Sequence, residues 1–346
     1  MKIFATTDNP NLGITKGGLK TKFVYGAWAA SESLYRALLK YGTFDEYHFF
    51  VNSRLDANVL KKSIQESGYN VSKIKIININ NLPTYLQKTK YTVFFTNRID
   101  LSQLAYLRSN YAKEYFPICG IAFQTISYSG VLRQDIFNNM ISDLHPFDSI
   151  ICTTSAVYTA IKNLNSLVRN SFQKEMKVKI KYNSRMDRLP LGIDASDFSK
   201  INNQQARQKL GIAKDKIIIL YFGRFSIYDK ADLYPLLSAF KEILAKNKDA
   251  MLLLAGVDAQ DKYGVKLKKI SNEMGLSSNI KFMLGFVKDK YKNILYSASD
   301  IFISPSDNIQ ESFGITILEA MASGLPVICS DWNGYKDLVV HNETGF

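Results

Sequence analysis

The sequence predicts an α/β protein built from two parallel-sheet domains. Its 346 residues exceed what one hydrophobic core usually holds. Short apolar runs alternate with helical patterns along the whole chain, the order expected of strands that pair in parallel through helical crossovers. At 46% apolar residues, each half can form a substantial core.

In the first domain, residues 1–190, strands are expected near 1–7, 46–52, 73–78, 91–96, 117–122 and 148–153, with helices between them. A polar loop holding Gly13, Gly17 and Gly18 follows the first strand and leads into a long helix from about Phe23 to Tyr41. Lys16, Lys20 and Lys22 make that loop basic. Residues 162–188 read as a polar, irregular connection, within which 174–182 alternates lysine with apolar residues like an exposed strand. A turn at 189–194, with Gly192 shortly before Asp194, marks the boundary near residue 190. The second domain, residues 191–346, repeats the theme with strands near 216–222, 250–255, 279–284, 300–304 and 326–330.

Charge is unevenly spread. Of the formal net charge of +13, residues 1–200 hold 26 Lys and Arg against 15 Asp and Glu, or +11, leaving +2 for the remainder. Such a field draws the first domain toward an anionic membrane surface, a lipid-linked phosphate or an acidic glycan. Nucleic acid is not expected as a partner, because zinc spacing, an aromatic RNA-binding signature and a basic heptad helix are all missing from the sequence. The first residues lack the pattern of a signal peptide, and no run approaches the roughly 20 apolar residues that span a bilayer. A cytoplasmic protein is expected, peripheral at most on the inner membrane face. Cys119, Cys152 and Cys329 stand at strand-like positions without metal or redox spacing and read as buried thiols. His48, His145 and His341 read as structural or surface residues.

The most informative segment runs from Glu311 to Pro326. A strand at 301–305 should end at a loop carrying Glu311, after which Ser312 caps a helix and Gly314 lets the first turn approach a ligand. Gly324 then stops the helix. A helix that starts at the carboxyl end of a parallel strand aims free N–H groups into the crevice, which suits a diphosphate. Eight helical residues rise about 12 Å, so Glu311 and Glu319 can meet hydroxyls at the two ends of a sugar nucleotide. Upstream, the apolar run at 217–222 leads into Gly223 and Arg224, with Lys230 six residues later at the expected start of a helix.

These residues resemble the retaining glycosyltransferases of family 4, which share the GT-B fold of two Rossmann-like domains facing a cleft. The resemblance implies that Glu311 binds the donor sugar, Glu319 the ribose, and Arg224 and Lys230 the diphosphate. It further implies donor contacts from Gly223, from the backbone near Ser312, Phe313, Gly314 and Ile315, and from Phe286 and Val287 around the base. Gly17 and Gly18 would close over donor phosphate and acceptor. Gln124 stands where relatives commonly carry a histidine beside the reacting carbon; its amide can donate and accept but cannot take up charge.

The implied activity is transfer of a sugar, with a UDP-sugar the favoured donor, to a hydroxyl of a glycan, lipid-linked or protein-linked acceptor. Configuration is retained and neither metal nor cofactor is needed; the departing phosphate helps deprotonate the incoming hydroxyl on the same face, so no carboxylate pair for a covalent double displacement is required. Two alternatives share the same residues: a non-catalytic nucleotide-sugar-binding or scaffold subunit, and a nucleotide-sugar 2-epimerase. A nicotinamide-dependent dehydrogenase would require a Gly-x-Gly-x-x-Gly turn that the sequence lacks. Relatives continue past the position of Phe346, so the chain reads as shortened at its C-terminus, with an apolar patch beside the last strand that self-association or a partner subunit would cover. The motifs leave sugar, base and acceptor open.

Overall fold

The structure is a computed structural model that describes residues 1–8, 10, 26–123, 131–198, 201–258, 261–287 and 289–346. The chain divides into two compact units, with Ala27–Leu191 joined by the start of the chain in the first and Gly192–Phe346 in the second.

Among its described residues the first unit contains seven strands: β1 (Ile3–Thr6), β2 (Glu46–Val51), β3 (Ile74–Asn78), β4 (Val93–Thr96), β5 (Ile118–Ala122), β6 (Ser149–Cys152) and β7 (Arg185–Arg188). They form one parallel sheet in the order β3-β2-β1-β4-β5-β6-β7. Because crossover helices cover both faces, the central strands are apolar nearly throughout, and all four residues of β1 are buried. The crossovers are α1 (Gly26–Tyr41), α2 (Arg54–Glu66), α3 (Leu82–Lys88), α4 (Ser102–Tyr111), α5 (Val131–Met140) and α6 (Ser155–Ser171). Ser53 and Thr154 start α2 and α6, each accepting a hydrogen bond from a backbone N–H three residues on.

A buried ion pair ties the sheet to α4. The guanidinium of Arg108 donates to both carboxylate oxygens of Asp148, at 2.6 and 2.8 Å, and also to the carbonyls of Phe116 and Asp143. Asp148 accepts in turn from the backbone N–H groups of Ile118 and His145. Both side chains are fully buried. Their many hydrogen bonds offset a desolvation cost that a bare pair would not recover.

Two expectations fail in the stretch 162–188. Residues 174–182 form no strand: Phe172–Met176 is a π-helical turn, closed by Lys177 in the left-handed region at φ 58°. At its end the alternation still has a physical basis, since Ile180 and Tyr182 pack on the core while Lys181 between them faces water. A strand appears instead at β7, in what reads as an irregular connection. Its Arg-Met-Asp-Arg sequence survives there because β7 is an edge strand, paired only to β6, with Met186 turned toward the core. The thiols are also less uniform than expected; Cys152 is buried, whereas Cys119 and Cys329 are half-buried. Among the described residues, no helix is long and apolar enough to cross a membrane.

The second unit opens with α7 (Asn203–Leu210) and then alternates β8 (Ile217–Phe222), α8 (Tyr234–Lys246), β9 (Ala250–Gly256), α9 (Tyr263–Glu273), β10 (Ile280–Leu284), α10 (Asp289–Ala298), β11 (Ile301–Ser304), α11 (Ile315–Ala322) and β12 (Val327–Cys329). The five strands form a parallel sheet in the order β10-β9-β8-β11-β12. Strand order therefore reverses at β8, and the crevice at its carboxyl end is where open α/β sheets bind ligands.

Candidate functional site

That carboxyl edge gathers most of the residues singled out from the sequence. β8 ends at Phe222 and hands the chain to Gly223 and Arg224. Their path is fixed by a close approach from β9: a Cβ at Gly256, which has φ 140°, would lie 1.8 Å from the Gly223 carbonyl oxygen. Only glycine fits there. The Gly223 N–H donates to the Ala255 carbonyl, and the Tyr221 hydroxyl donates to the Arg224 carbonyl. Burial first, and the charge of Glu311 second, push the Tyr221 hydroxyl above its ordinary range, so it remains a donor.

The cations are balanced by carboxylates. A guanidinium nitrogen of Arg224 lies 2.9 Å from Asp229, and the Lys230 ammonium lies 2.7 Å from Glu311. Lys230 does not begin a helix as expected; it sits in a turn, and α8 starts only at Tyr234. Backbone bonds pin that turn, because the Lys230 N–H donates to the Ser226 carbonyl and the Ser306 hydroxyl donates to the Lys230 carbonyl. The loops after β8 and β11 are thus joined at the site itself.

Glu311 lies in the loop between β11 and α11, not in the helix, so the separation of the two glutamates is not a helical rise. Nor is Ser312 the cap. The helix begins at Ile315 with Gly314 as its N-cap residue at φ 97°. Glycine is required there because an added Cβ would meet the ring of Tyr335 at 2.4 Å. The constraint comes from the protein's own core. A Gly314→Ala variant should therefore lose about 1–3 kcal/mol from left-handed strain and ring displacement, seen as a lowered midpoint in thermal unfolding. At the other end Gly324 behaves as expected. Its N–H donates to the Met321 carbonyl and that of Leu325 to the Ala320 carbonyl, the paired bonds of a Schellman stop.

Glu319 is nearly buried and satisfied by two donors from α10. The Lys292 ammonium lies 3.0 Å from one carboxylate oxygen, and the Tyr296 hydroxyl donates to the other at 2.7 Å. Burial, then the neighbouring Glu319 charge, raises the Tyr296 hydroxyl well above its usual range. Lys292 also lies over the Phe222 ring at 5.8 Å, which links this group to the end of β8. Neither α10 residue is singled out by the sequence; the four-residue spacing of Lys292 and Tyr296 was the available signal. Phe286 and Val287 follow β10 after Gly285, whose N–H donates to the Gly256 carbonyl; Phe286 is exposed and Val287 packs on the core. Gln124, Gly17 and Gly18 lie outside the described residues. Among the described residues, no group of three or more His, Cys, Asp or Glu side chains could hold a metal ion.

Two Rossmann-like parallel-sheet units are the architecture of the GT-B fold. Residues 202–346 match the family described as glycosyl transferases group 1. An uncharacterized glycosyltransferase of Methanocaldococcus jannaschii, MJ1607, is 34% identical over 190 residues, covering 55% of this chain and 45% of that protein. An alpha-monoglucosyldiacylglycerol synthase of Streptococcus pneumoniae is 28% identical over 190 residues, 54% of this chain and 38% of its own length. These matches thus span less than half of each relative. Among solved structures, Anabaena Alr3699/HepE in complex with UDP superposes with a TM-score of 0.68 at 18% identity, covering all of this chain and 85% of that one.

Proposed function

We propose that the chain is a retaining glycosyltransferase that moves a sugar from a nucleoside diphosphate donor to a hydroxyl acceptor without a metal ion. The observation that carries this reading is the Lys230–Glu311 pair, with Arg224 beside it, at the carboxyl edge of β8. When a donor enters, its diphosphate takes over Lys230 and Arg224, and the sugar hydroxyls take over Glu311. As the sugar–phosphate bond breaks, the fixed cations stabilise the charge growing on the leaving group. The phosphate itself accepts the acceptor's proton on the same face, and Glu319 holds the ribose. Backbone N–H groups at Gly314 and Ile315 add the positive end of a short helix.

Uridine is the first base to try, because the similar HepE structure holds UDP. A lipid-linked acceptor fits the synthase relative and the +11 charge of residues 1–200. Thermal-shift titration with UDP, GDP, ADP and their sugars tests the donor class. Stabilisation by one nucleoside diphosphate and its sugars is expected, followed by acceptor-dependent transfer that survives EDTA and whose product keeps the donor's anomeric configuration by NMR. No response to any nucleotide would overturn the reading. Binding without transfer or donor hydrolysis would point to a scaffold subunit, and epimer formation without acceptor to a 2-epimerase.

A further inference from the structure

Glu319 offers about four lone-pair positions, as any carboxylate does. Two are already taken, one on each oxygen, by Lys292 and Tyr296 of α10. These donors stand one helical turn apart and are fixed differently. Tyr296 is fully buried, packed against Phe222 and Phe302, whereas Lys292 reaches in along the Phe222 ring. The carboxylate cannot rotate without breaking both bonds, and each oxygen keeps one acceptor site in hand.

We infer that Lys292 and Tyr296 are positioning residues that orient Glu319 to accept from two vicinal hydroxyls, making α10 a selector for ribose over deoxyribose in the nucleotide. The inference rests on the ribose role proposed above for Glu319. Holding an ionised carboxylate in one orientation removes the cost of ordering it when the ligand arrives. A site built to bond hydroxyls also rejects a ligand lacking them, because its buried acceptors are then left unpaired.

Calorimetric binding of UDP, GDP and ADP is compared with that of their 2′,3′-dideoxy analogues, using the unaltered chain and Glu319→Gln, Lys292→Met, Lys292→Arg and Tyr296→Phe variants. The unaltered chain should prefer the ribose form at least tenfold. Lys292→Met and Tyr296→Phe should each weaken the ribose nucleotide about tenfold while leaving the dideoxy analogue nearly unchanged, and Lys292→Arg should keep most of the preference. Thermal unfolding of each variant confirms that it folds, and Tyr296→Phe preserves the ring that packs the core. A ribose preference that persists unaltered in Lys292→Met and Tyr296→Phe, or a loss of affinity shared equally by both nucleotide forms, overturns the inference alone. Absence of any ribose preference in the unaltered chain and in Glu319→Gln overturns the role of Glu319 and this inference with it.

Discussion

Replacing Arg224 by alanine is expected to lower turnover about 10²- to 10³-fold, the loss typical when a fixed donor to transition-state charge is removed. Its guanidinium can grip a phosphate through two N–H groups, which a lysine cannot imitate, so Arg224→Lys should recover only part of the rate. Lys230→Ala should act in the same direction, with an added effect on Glu311, whose 2.7 Å partner disappears. In neither variant should the fold be lost, because Arg224 and Lys230 sit at the mouth of the sheet, outside the core clusters. Initial-rate measurements of transfer, paired with thermal unfolding, separate the two effects. Near-normal turnover in Arg224→Ala would remove the diphosphate clamp from the mechanism.

The largest effect on stability is expected at Arg108. An Arg108→Met variant strands the Asp148 carboxylate in the interior with only the Ile118 and His145 N–H groups to bond it. Breaking a buried pair by removing one partner costs about 3–5 kcal/mol. For a unit of this size that corresponds to a fall in unfolding midpoint of about 6–20 °C. A second change, Asp148→Leu, should recover part of the loss by removing the stranded charge. Recovery stays incomplete because two backbone donors then lose their acceptor. Calorimetry of the single and double variants checks both statements; an unchanged midpoint for Arg108→Met would show the pair to be energetically silent.

What could be read from the sequence follows the range of the interaction that decides each feature. Buried parallel strands announce themselves through local apolar runs, and all eleven expected strands appear with ends within a residue or two. β7 escapes because only one side chain in four, the half-buried Met186, turns toward the core, and alone it is a weak signal. Ser312 looks like a cap by local chemistry, yet Gly314, left-handed and packed against the Tyr335 ring, is the N-cap residue and the helix begins at Ile315. Lys230 looks like a helix start, but Pro235 near the first turn places the start of α8 later. Lys292 leaves only a weak signal, its four-residue spacing from Tyr296, because the carboxylate that both bond lies on another helix, 27 residues from Lys292. Glu311, Arg224 and Lys230 were legible as a group because each follows the carboxyl end of a strand that its own apolar run announces.

The pairing of Lys230 with Glu311, and of Arg224 with Asp229, carries a consequence for which anions gain entry. A bare phosphate that captures the two cations leaves two acids behind with nothing to bond, and the exchange gains little. A ligand bearing hydroxyls next to its phosphates refills what it empties. On the donor role proposed above, discrimination against inorganic phosphate follows from these two pairings, before any sugar has been distinguished from another.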